Sequence, residues 1–544
     1  MIDGIAGWVA GLSCDMVPER VLELARHQVL SVMGAAHAGA WCAGGKAVTG
    51  AVARLGEGGP CTTYPGGAPR SLHSALMQNA SLSMALDYDD YLFLGHTGHS
   101  AVTVPLAVAE ARGADARTVL TAQVAANEVA GRLGASVVLG PHNGQMWAHI
   151  HLLGAAAAAS RVLGLDPERT ADAMGIALSE PVYALFPGFM GPQSKLLTAA
   201  VPAVTGTFAA LLAESGMTGP RGILEDPQGF WAHFSFVPLP FMMTGLGEAW
   251  VTDTIAFKPY PGCAYIDTAV DALMEIEAGF AEERGRRLEP AEVKEVRVEA
   301  SLLTVAMDSM SRGYLDRSRL SPTNINFSLS ISLAIALLAG RLSGAELTEE
   351  YLDENRADIL EVASRVALYH DAALTVEFVR SLDEALDLRS ALACVETRAL
   401  LNARGRMREH LSRVATMGRR EALAAWRSLS RCDRAFLRGL VPLESLLGPA
   451  GRYDLGARSL EGARMPFGAR VSVLLEGGGR LTAERMVPRG GPGDPRRLEV
   501  PPEKFLRETA GYLDRERAEE AVEAILEMEG RPLADVTAAL STGA

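Results

Sequence analysis

The sequence feature that most restricts the fold is the recurrence of apolar residues at helical spacing from the start of the chain to about residue 255. Segments such as PERVLELARHQVLSVMGAA (18–36) and ARTVLTAQVAANEVAGRLGAS (116–136) place apolar side chains three and four residues apart, with Gly, Pro and Asp between segments. Ala-rich stretches such as GAAAAAS (154–160) favour closely packed helices. We therefore predict an all-helical domain over residues 1–262.

The pattern changes after this domain. The run VKEVRVEASLL alternates apolar and polar residues as a strand does, and ARVSVLLEGGGRLTAERMV contains a Gly-rich turn typical of a hairpin. We predict a smaller α+β domain over 263–490 with a helical, Arg-rich insertion near 378–465, followed by helices over 491–544 that return to the helical domain. A chain of 544 residues also exceeds the ~250–300 residues of a single core. The predicted fold class is mainly α.

Charge and composition exclude several classes of protein. The net charge of −14 disfavours nucleic acid and anionic membranes as partners, although residues 396–438 are locally Arg-rich. Apolar windows such as the one around Phe327 to Leu338 fall short of the ~18–20 residues that cross a bilayer. The N-terminus lacks the basic residues of a signal peptide. We therefore expect a cytoplasmic protein with neither nucleic acid nor membrane as a partner.

Cysteine spacing and glycine motifs bear on metals and cofactors. The six cysteines are scattered without C-x-x-C spacing, which argues against a zinc site and against a disulfide framework. The sequence has no P-loop, and no G-x-G-x-x-G opens a strand-to-helix unit. We expect free thiols, no metal and no cofactor.

The segment ALDYDDYLFLGHTGHSAVTVP (85–105) gathers three carboxylates, two histidines and two tyrosines. If its start is helical, Asp87, Asp90 and Tyr91 share one face by their i, i+3, i+4 spacing. The Gly-broken loop GHTGH can then bend His96 and His99 back toward that face. The segment therefore predicts an acid/base cluster.

Two further segments carry candidate polar residues. In WAHIHLLGAAAAAS, His149 and His151 are two positions apart, so on a helix they point to different sides and cannot hold one metal together. His151 begins the Ala-rich helix, where the helix dipole would favour a neutral, base-competent imidazole. Lys195 lies in the apolar segment GPQSKLLTAA of a chain with only five lysines, and a substrate carboxylate would be a natural partner for it.

Each of these clusters also has a structural interpretation. Asp89 and Asp90 could cap a helix while one histidine of the segment bonds a buried backbone carbonyl. His151 could be a core or capping histidine, and Lys195 could extend along the surface from a helix start. The residues alone leave these alternatives open.

A fourth cluster, FKPYPGCAYIDTAVDA, is a Pro-stiffened turn at the predicted domain junction. It carries Lys258, Tyr260, Cys263, Tyr265 and Asp267, and ligand sites often occupy such junctions. No Cys-His signature surrounds the cysteine, so we expect it to pack or to line a site rather than to act as a nucleophile.

The four clusters occur in the order of, and near the spacing of, the MmgE/PrpD family, which the sequence resembles. The family segments LDFDDT, H-P-S, H-P-T-G, KLLGLD, K-x-L-H and KPYP-x-C have counterparts here in ALDYDDY, GHTGHS, HLLGAAAAASRVLGLD, SKLLTAA and KPYPGCAYID. The resemblance covers nearly the whole chain outside 378–465. It implies a large all-helical domain with a smaller α+β lid domain, a site between them, and a homodimer.

The resemblance also implies roles for individual residues. Asp87 matches a site-lining aspartate that would orient a histidine. His99 is the better match to the family histidine, although two extra residues intervene and His96 remains possible. His151 would form the proton-transfer pair with His99, and Lys195 would grip a substrate carboxylate. We expect the substrate-binding set Tyr91, His96, Lys258, Tyr260, Cys263 and Asp267.

Three positions depart from the family pattern. Tyr91 stands where the family usually has Thr, Thr198 where it often has His, and Asp267 where it usually has His. Replacing a histidine by an acid removes positive potential from a site for tricarboxylates. We therefore expect a small carboxylate substrate other than methylcitrate or cis-aconitate.

Relatives in this family include 2-methylcitrate dehydratase and cis-aconitate decarboxylase, which act by proton transfer next to a carboxylate without a cofactor. The resemblance implies a lyase, with dehydration favoured, and decarboxylation or epimerisation as alternatives on the same scaffold. A non-catalytic binding subunit, with the Arg-rich insertion as its partner surface, is the alternative from another class.

Overall fold

The computed structural model describes residues 1–93, 95–141, 145–395, 397–414, 418–440 and 452–541. It is 63% helical and only 7% strand. The prediction of a mainly α protein with a small sheet region is therefore confirmed.

The chain folds into two compact units. The first consists of Met1–Phe257, Asp454–Glu461 and Leu498–Ala544, and the second of Lys258–Tyr453 and Gly462–Arg497. The boundaries predicted from the sequence are 262/263 and 490/491, and the short return at 454–461 is not among the predicted segments.

Helices dominate the first unit before residue 257, and they run as α1 Ile2–Gly11, α2 Glu19–Trp41, α3 Ala43–Leu55, α4 Leu72–Met84, α5 Gly98–Arg112, α6 Ala116–Ser136, α7 Gln145–Val162, α8 Pro167–Ser179, α9 Phe186–Met190, α10 Leu197–Glu214 and α11 Phe230–Phe234. Those of the second unit are α12 Asp267–Arg284, α13 Leu302–Ser311, α14 Pro322–Ile325, α15 Leu329–Ala339, α16 Glu349–Glu354, α17 Arg356–Ala363, α18 Ala372–Leu386, α19 Leu388–Ala393, α20 Thr397–Val414, α21 Arg419–Ser428 and α22 Arg431–Gly439. The last segment forms α23 Val500–Thr509, α24 Arg515–Leu526 and α25 Leu533–Leu540.

Local capping explains where several helices begin. The Asp166 carboxylate accepts a hydrogen bond from the Arg169 backbone N–H at 2.8 Å at the start of α8. The Thr348 hydroxyl accepts one from the Tyr351 N–H at 3.3 Å at the start of α16. Side-chain oxygens at these positions satisfy backbone donors that the helix leaves without a partner. Both helix starts predicted from the sequence are confirmed.

The Ala-rich helix α7 lies at the centre of the first unit and packs against α5, α6, α8 and α10. Its alanines at 155–159 are fully buried. Gly206 of α10 approaches so closely that a Cβ there would lie 2.3 Å from the Leu152 carbonyl oxygen. Small side chains on both helices therefore allow the tight packing that places α7 beside α10.

Strands are few and short: β1 Gly58–Cys61, β2 Asp90–Tyr91, β3 Ala256–Phe257, β4 Val293–Ala300, β5 Val366–His370, β6 Ala469–Leu475 and β7 Arg480–Arg485. In the first unit, β2 pairs antiparallel with β3. The second unit has a four-stranded sheet in the order β5-β4-β6-β7, in which only β4 and β5 are parallel.

The second-unit sheet agrees with the alternation in the sequence. β4 alternates buried and less buried positions after its first residues, as expected for a strand with one face on a core. β6 and β7 form the expected hairpin, and Gly478 at its turn has a φ of 87°, which favours glycine.

Helix α23, the first of the last three helices, packs along α2 within the first unit. Gly34 of α2 allows this approach, since a Cβ there would lie 3.3 Å from Lys504 Cγ and from the Phe505 Cα. The close contact brings the Lys504 side chain into the interior of the unit, where it is fully buried.

Among the described residues, one helix is long and apolar enough to cross a membrane. It covers Gln193–Glu214, and 61% of its most apolar window is buried inside the protein. Core helices of soluble proteins can be equally long and apolar. Helix α10, which forms most of this segment, packs against α7 in the core. The sequence-based search for long apolar windows overlooked this segment.

Candidate active site

The acidic segment of the sequence forms a turn rather than a helix. α4 ends at Met84, residues 85–87 form a turn, and Asp90 and Tyr91 enter strand β2. Asp87 has a φ of 50°, in the left-handed region. The predicted helical face of Asp87, Asp90 and Tyr91 is therefore wrong, because the chain turns sharply where the spacing argument assumed a continuous helix.

Asp87 is paired with Lys195. The Lys195 Nζ donates to Asp87 Oδ2 at 2.8 Å, and the lysine side chain is fully buried. Lys195 lies in the short 3-10 helix Gln193–Leu196 that leads into α10, and its Nζ lies 5.0 Å from the centre of the Phe189 ring. Complete burial excludes the alternative of a surface lysine.

Asp89 lies between two histidines. His96 Nδ1 hydrogen-bonds Asp89 Oδ1 at 3.2 Å, and His99 Nε2 lies 3.0 Å from Asp89 Oδ2. The two imidazole rings are parallel within 7°, with centroids 6.4 Å apart. His96 Nδ1 also lies 3.8 Å from Asp87 Oδ1. These contacts join the aspartate–lysine pair to the histidines.

His151 completes the cluster from α7. Its ring centroid lies 5.5 Å from that of His99, and its Nδ1 lies 2.8 Å from Ser100 Oγ. Burial, and then the charge of His99, lower the pKa of His151 well below its usual value. Because α7 begins at Gln145, His151 is inside the helix and the helix-dipole explanation predicted from the sequence is wrong.

Asp90 is linked to a network of buried amides behind the turn. Gln28 Nε2 donates to Asp90 Oδ2 at 2.8 Å, and Asn127 Nδ2 donates to Gln28 Oε1 at 2.7 Å. Burial and the neighbouring charge of Asp89 raise the pKa of Asp90 to about 7. The described side-chain contacts of Asp89 are with His96 and His99, and that of Asp90 is with Gln28, rather than with the backbone N–H groups that a helix cap would bind.

A buried lysine supports the same turn. Lys504 Nζ donates to the Tyr88 carbonyl and to Ser31 Oγ, and it lies 4.1 Å from the centre of the Tyr88 ring. The Tyr88 hydroxyl donates to Glu508 at 3.1 Å. Sequence reasoning missed Lys504, although the rarity of lysine in this chain was a signal that could have found it.

His149 does not join the cluster. It packs between Phe230 and Phe234, with ring centroids 5.0 Å and 4.2 Å away, and burial lowers its pKa to about 4. Tyr91 is buried in β2. Thr198 is buried in the first turn of α10, three residues after Lys195.

The remaining predicted residues belong to the second unit. Lys258 Nζ donates to the Gly262 carbonyl at 3.1 Å, and the Tyr260 hydroxyl donates to Asp271 at 2.9 Å. The Cys263 N–H donates to the Asn326 carbonyl at 2.8 Å. Asp267 is buried at the first position of α12. All four residues are buried, and burial raises the pKa of Tyr260.

Asp89, His96 and His99 form a group within the described residues that could hold a metal ion, since their ligand atoms lie within 4.8 Å of one another. One carboxylate and two imidazoles are a donor set that transition metals accept. The two nitrogens face different oxygens of the carboxylate at 3.0 and 3.2 Å. The His96 contact is a hydrogen bond, whereas the contact between His99 Nε2 and Asp89 Oδ2 has an ion-pair distance without hydrogen-bond geometry.

Comparison with known families gives matches over most of the chain. The model of the MmgE/PrpD N-terminal domain matches residues 3–238. The model of the MmgE/PrpD C-terminal domain matches residues 260–420.

Curated relatives carry related names. The chain is 24% identical over 386 residues to a cis-aconitate decarboxylase of Aspergillus terreus, which covers 67% of this chain and 77% of the relative. It is 25% identical over 297 residues to the cis-aconitate decarboxylase-like protein oryM of Aspergillus oryzae, covering 51% of this chain and 61% of that protein. Human cis-aconitate decarboxylase is 29% identical over 134 residues, covering 24% of this chain and 27% of the human protein.

Proposed function

The chain belongs to the MmgE/PrpD family, and from that premise we propose that it is a cofactor-independent lyase that transfers a proton at a carbon next to a substrate carboxylate. The observation that carries the proposal is the burial of Lys195, Asp87 and His151 in one cluster of the first unit. A buried cation and a neutral imidazole are the two groups that such a reaction needs.

Lys195 is proposed as the carboxylate anchor. Its ammonium group is fully buried and already pairs with one carboxylate, Asp87, at 2.8 Å. A substrate carboxylate beside it would gain a charge-assisted hydrogen bond in a water-poor environment. The same positive charge would stabilise the enolate-like oxygen that develops when the neighbouring carbon loses its proton.

His151 is proposed as the base. Its lowered pKa keeps the ring neutral near pH 7. Ser100 Oγ donates to the Thr97 carbonyl at 3.4 Å, so its oxygen accepts from His151 Nδ1–H, and Nε2 is the basic atom of that tautomer. His151 Nε2 has no hydrogen-bond partner among the described residues. A neutral imidazole with this atom available can take a proton from carbon.

We favour dehydration as the overall reaction. The base would remove the proton from the carbon, its electron pair would form the double bond, and the hydroxyl on the next carbon would leave as water after receiving a proton. Decarboxylation is the second candidate, because the curated relatives named above are cis-aconitate decarboxylases. In that reaction the bond to the carboxylate breaks, carbon dioxide leaves, and the electron pair left on carbon accepts a proton.

The substrate is proposed to be a small carboxylate other than methylcitrate or cis-aconitate. The argument is the chemistry at three positions that differ from the family pattern, Tyr91, Thr198 and Asp267. An additional acid at 267 suits a less anionic substrate than a tricarboxylate.

The test is proton exchange in deuterated water with a panel of hydroxy and unsaturated carboxylic acids, followed by proton NMR. We expect the wild type to exchange or convert at least one acid, and His151→Gln to lower the rate by about 10²–10⁴. His73→Gln, at an exposed histidine of the same unit, is the matched control and should keep the wild-type rate.

The products separate the two candidate reactions. Gain or loss of water supports dehydration, and release of carbon dioxide supports decarboxylation. Full turnover by His151→Gln would remove His151 from the mechanism. Absence of exchange with every acid tested would favour the binding-subunit alternative.

A further inference from the structure

A buried network of amide side chains in the first unit has no part in the mechanism described so far. Its central residue is Gln28 of α2, whose Oε1 accepts from Asn127 Nδ2 at 2.7 Å and from Gln123 Nε2 at 2.8 Å. Gln28 Nε2 donates to Asp90 Oδ2 at 2.8 Å and to Asn127 Oδ1 at 3.2 Å. All four side chains are buried. Because a buried amide that loses its partners is costly, these bonds fix the orientation of Gln28 and Asn127.

Thr97 extends this network to the start of α5. Its hydroxyl donates to Asn127 Oδ1 at 2.7 Å and accepts from Gln28 Nε2 at 3.4 Å. Thr97 directly precedes α5, and its backbone carbonyl accepts from the Ser100 N–H at 3.2 Å and from the Ser100 hydroxyl at 3.4 Å. The bond to Asn127 on α6 therefore holds in place the carbonyl group to which the Ser100 hydroxyl donates.

Gly98 allows the start of α5 to lie close to the network. A Cβ at this position would lie 1.9 Å from Asp90 Oδ1 and 2.7 Å from Val32 Cγ2, which is closer than such atoms can approach. Thr97 and Asp90 both accept from the same nitrogen, Gln28 Nε2. The absence of a side chain at 98 is what lets these two residues share one amide.

Ser100 connects the network to His151. Its Oγ lies 2.8 Å from His151 Nδ1, and both side chains are buried. Because the serine hydroxyl donates its hydrogen to the Thr97 carbonyl, its oxygen is the acceptor for Nδ1–H. A neutral imidazole carries one ring hydrogen, so a hydrogen on Nδ1 leaves Nε2 as the basic nitrogen.

We propose that this network holds His151 in the tautomer with its hydrogen on Nδ1, and that its members are positioning residues. These members are Gln28, Asn127, Thr97 and Ser100. The proposal rests on the lyase function argued above and adds the side chains that keep the base in its active form. When His151 Nε2 takes the proton from carbon, the electron pair of the carbon–hydrogen bond stays with the substrate and Nδ1 keeps its own hydrogen.

The network matters because a serine hydroxyl can rotate. A Ser100 hydroxyl that turned away from the Thr97 carbonyl would donate to Nδ1 and stabilise the opposite tautomer, with the hydrogen on Nε2. That tautomer has no lone pair at the nitrogen proposed to accept the substrate proton. One hydrogen bond changes such a ratio by a factor of about 2 to 10, so loss of the network should lower the active fraction of His151 by a similar factor.

Thr97→Val tests the network without touching the base. Valine keeps the backbone carbonyl and nearly the shape of threonine but removes the hydroxyl that binds Asn127. With an acid that the wild type converts, we expect kcat to fall about two- to tenfold and KM to change little, because the Lys195 anchor is untouched. Thr97→Ser keeps the hydroxyl and should recover most of the lost rate. Thr121→Val is the matched control, because it removes a buried hydroxyl of α6 that bonds the Arg117 carbonyl of the same helix.

The tautomer of His151 gives a readout that a purely structural role would not move. Ring ¹⁵N NMR signals distinguish the nitrogen that carries hydrogen, and the His151 signals are those lost in His151→Gln. Near pH 7, where the lowered pKa keeps the ring neutral, the wild type should carry hydrogen on Nδ1. Ser100→Ala should show a share of the tautomer with hydrogen on Nε2. Ser160→Ala, at a fully buried serine nine positions further along α7, should leave both signals unchanged.

The outcomes separate this proposal from the function on which it rests. Hydrogen on Nε2 in the wild type, or on Nδ1 alone in Ser100→Ala, contradicts the proposal whatever the reaction is. If Thr97→Val keeps both the wild-type tautomer and the rate of Thr121→Val, the network beyond Ser100 has no positioning role. Absence of exchange by the wild type with every acid tested contradicts only the lyase function, because the tautomer is measured without substrate. If Thr97→Val fails to fold, the tautomer in Ser100→Ala still decides.

Discussion

At the scale of single residues, the first unit buries an unusual number of charged groups around one turn. Asp87, Asp89 and Asp90 are buried with Lys195 and Lys504, and Asp87 forms an ion pair with Lys195 at 2.8 Å. Removing one partner of such a pair is costly, because the other charge stays buried without compensation. The turn from 85 to 91 therefore depends on side chains far from it in the sequence.

Lys504→Met tests the most distant of these side chains. The substitution keeps the apolar length but leaves the Tyr88 carbonyl and Ser31 without the ammonium donor. We expect the free energy of unfolding to fall by about 1–3 kcal/mol, measured by urea denaturation. Lys46→Met, at an exposed position on α3, should change it by less than about 0.5 kcal/mol. Equal stability of the two variants would show that the Lys504 contacts are energetically neutral.

Asp90 gives the turn a pH-dependent stability. Burial and the charge of Asp89 raise its pKa to about 7 in the folded chain, from the ordinary aspartate value of 3.8. The folded state holds a proton that the unfolded state has lost, so this contribution is complete below about pH 4 and is lost as the pH rises to 7. Relative to Asp90→Asn, the wild type should therefore lose stability between pH 4 and 7 by up to about 1.4 kcal/mol per pH unit.

Urea denaturation of both proteins at several pH values measures the difference, and the subtraction removes the other titrating groups. A difference that is constant from pH 5 to 8 would mean that Asp90 is ionised throughout. If Asp90→Asn becomes more stable relative to the wild type as the pH falls, the raised pKa of Asp90 is contradicted.

Residue identity predicted part of this cluster. Lys195 and His151 were found because a rare lysine and a histidine stand out in apolar surroundings, and the structure brings them to Asp87 and His99. The contacts of Asp89 could not be predicted, because they depend on a sharp turn that directs three neighbouring carboxylates to different partners. Spacing rules assume a regular element, and Asp87 with its positive φ belongs to none.

At the scale of elements, helix packing in the first unit depends on small residues at the contacts. His151, the proposed base, lies on α7, and Lys195, the proposed anchor, lies two residues before α10 begins. The distance between these two helices therefore determines how far apart the base and the anchor lie. Gly206 sets that separation, with its Cα against the Leu152 carbonyl. The sequence predicted both helices from their apolar spacing, but it could not show which glycine lies at the contact.

Gly206→Ala should therefore destabilise the protein. The new Cβ would lie 2.3 Å from the Leu152 oxygen and 2.8 Å from the Ala155 Cβ, so the helices must separate. We expect a loss of about 1–3 kcal/mol in thermal or urea unfolding. Gly50→Ala on α3 is the matched control, because no atom lies within 4 Å of its added Cβ. That change should stabilise the helix by up to about 1 kcal/mol, and similar effects of the two substitutions would contradict the packing argument.

At the scale of the whole molecule, the chain consists of two compact units. The first unit has the large helical core, and the second has the sheet whose strand β4 buries Val293, Val296 and Val298. The alternation in the sequence predicted this sheet and its hairpin. The return of residues 454–461 to the first unit had no signal in hydrophobic periodicity, because the segment is short and mostly irregular.

We expect thermal unfolding to depart from a single two-state transition, since chains with more than one unit commonly do. Gly206→Ala should lower the midpoint of the transition that belongs to the first unit. Val298→Ala, at a fully buried position of β4, should lower the midpoint of the transition that belongs to the second unit. The expected loss in the free energy of unfolding is about 2 kcal/mol. Calorimetry measures both, and one shared transition that moves equally in the two variants would show that the units unfold together.

The contact between Lys504 and Tyr88 also has a consequence for biosynthesis. A ribosome makes the turn that holds Asp87 more than four hundred residues before it makes Lys504, since the two contacting residues are 416 positions apart. During translation the turn therefore emerges without the ammonium group that binds its carbonyl. The buried cluster around Asp87 gains this contact only when α23 has been synthesised and has docked on α2, so nascent chains that stop before this helix should lack the proposed activity.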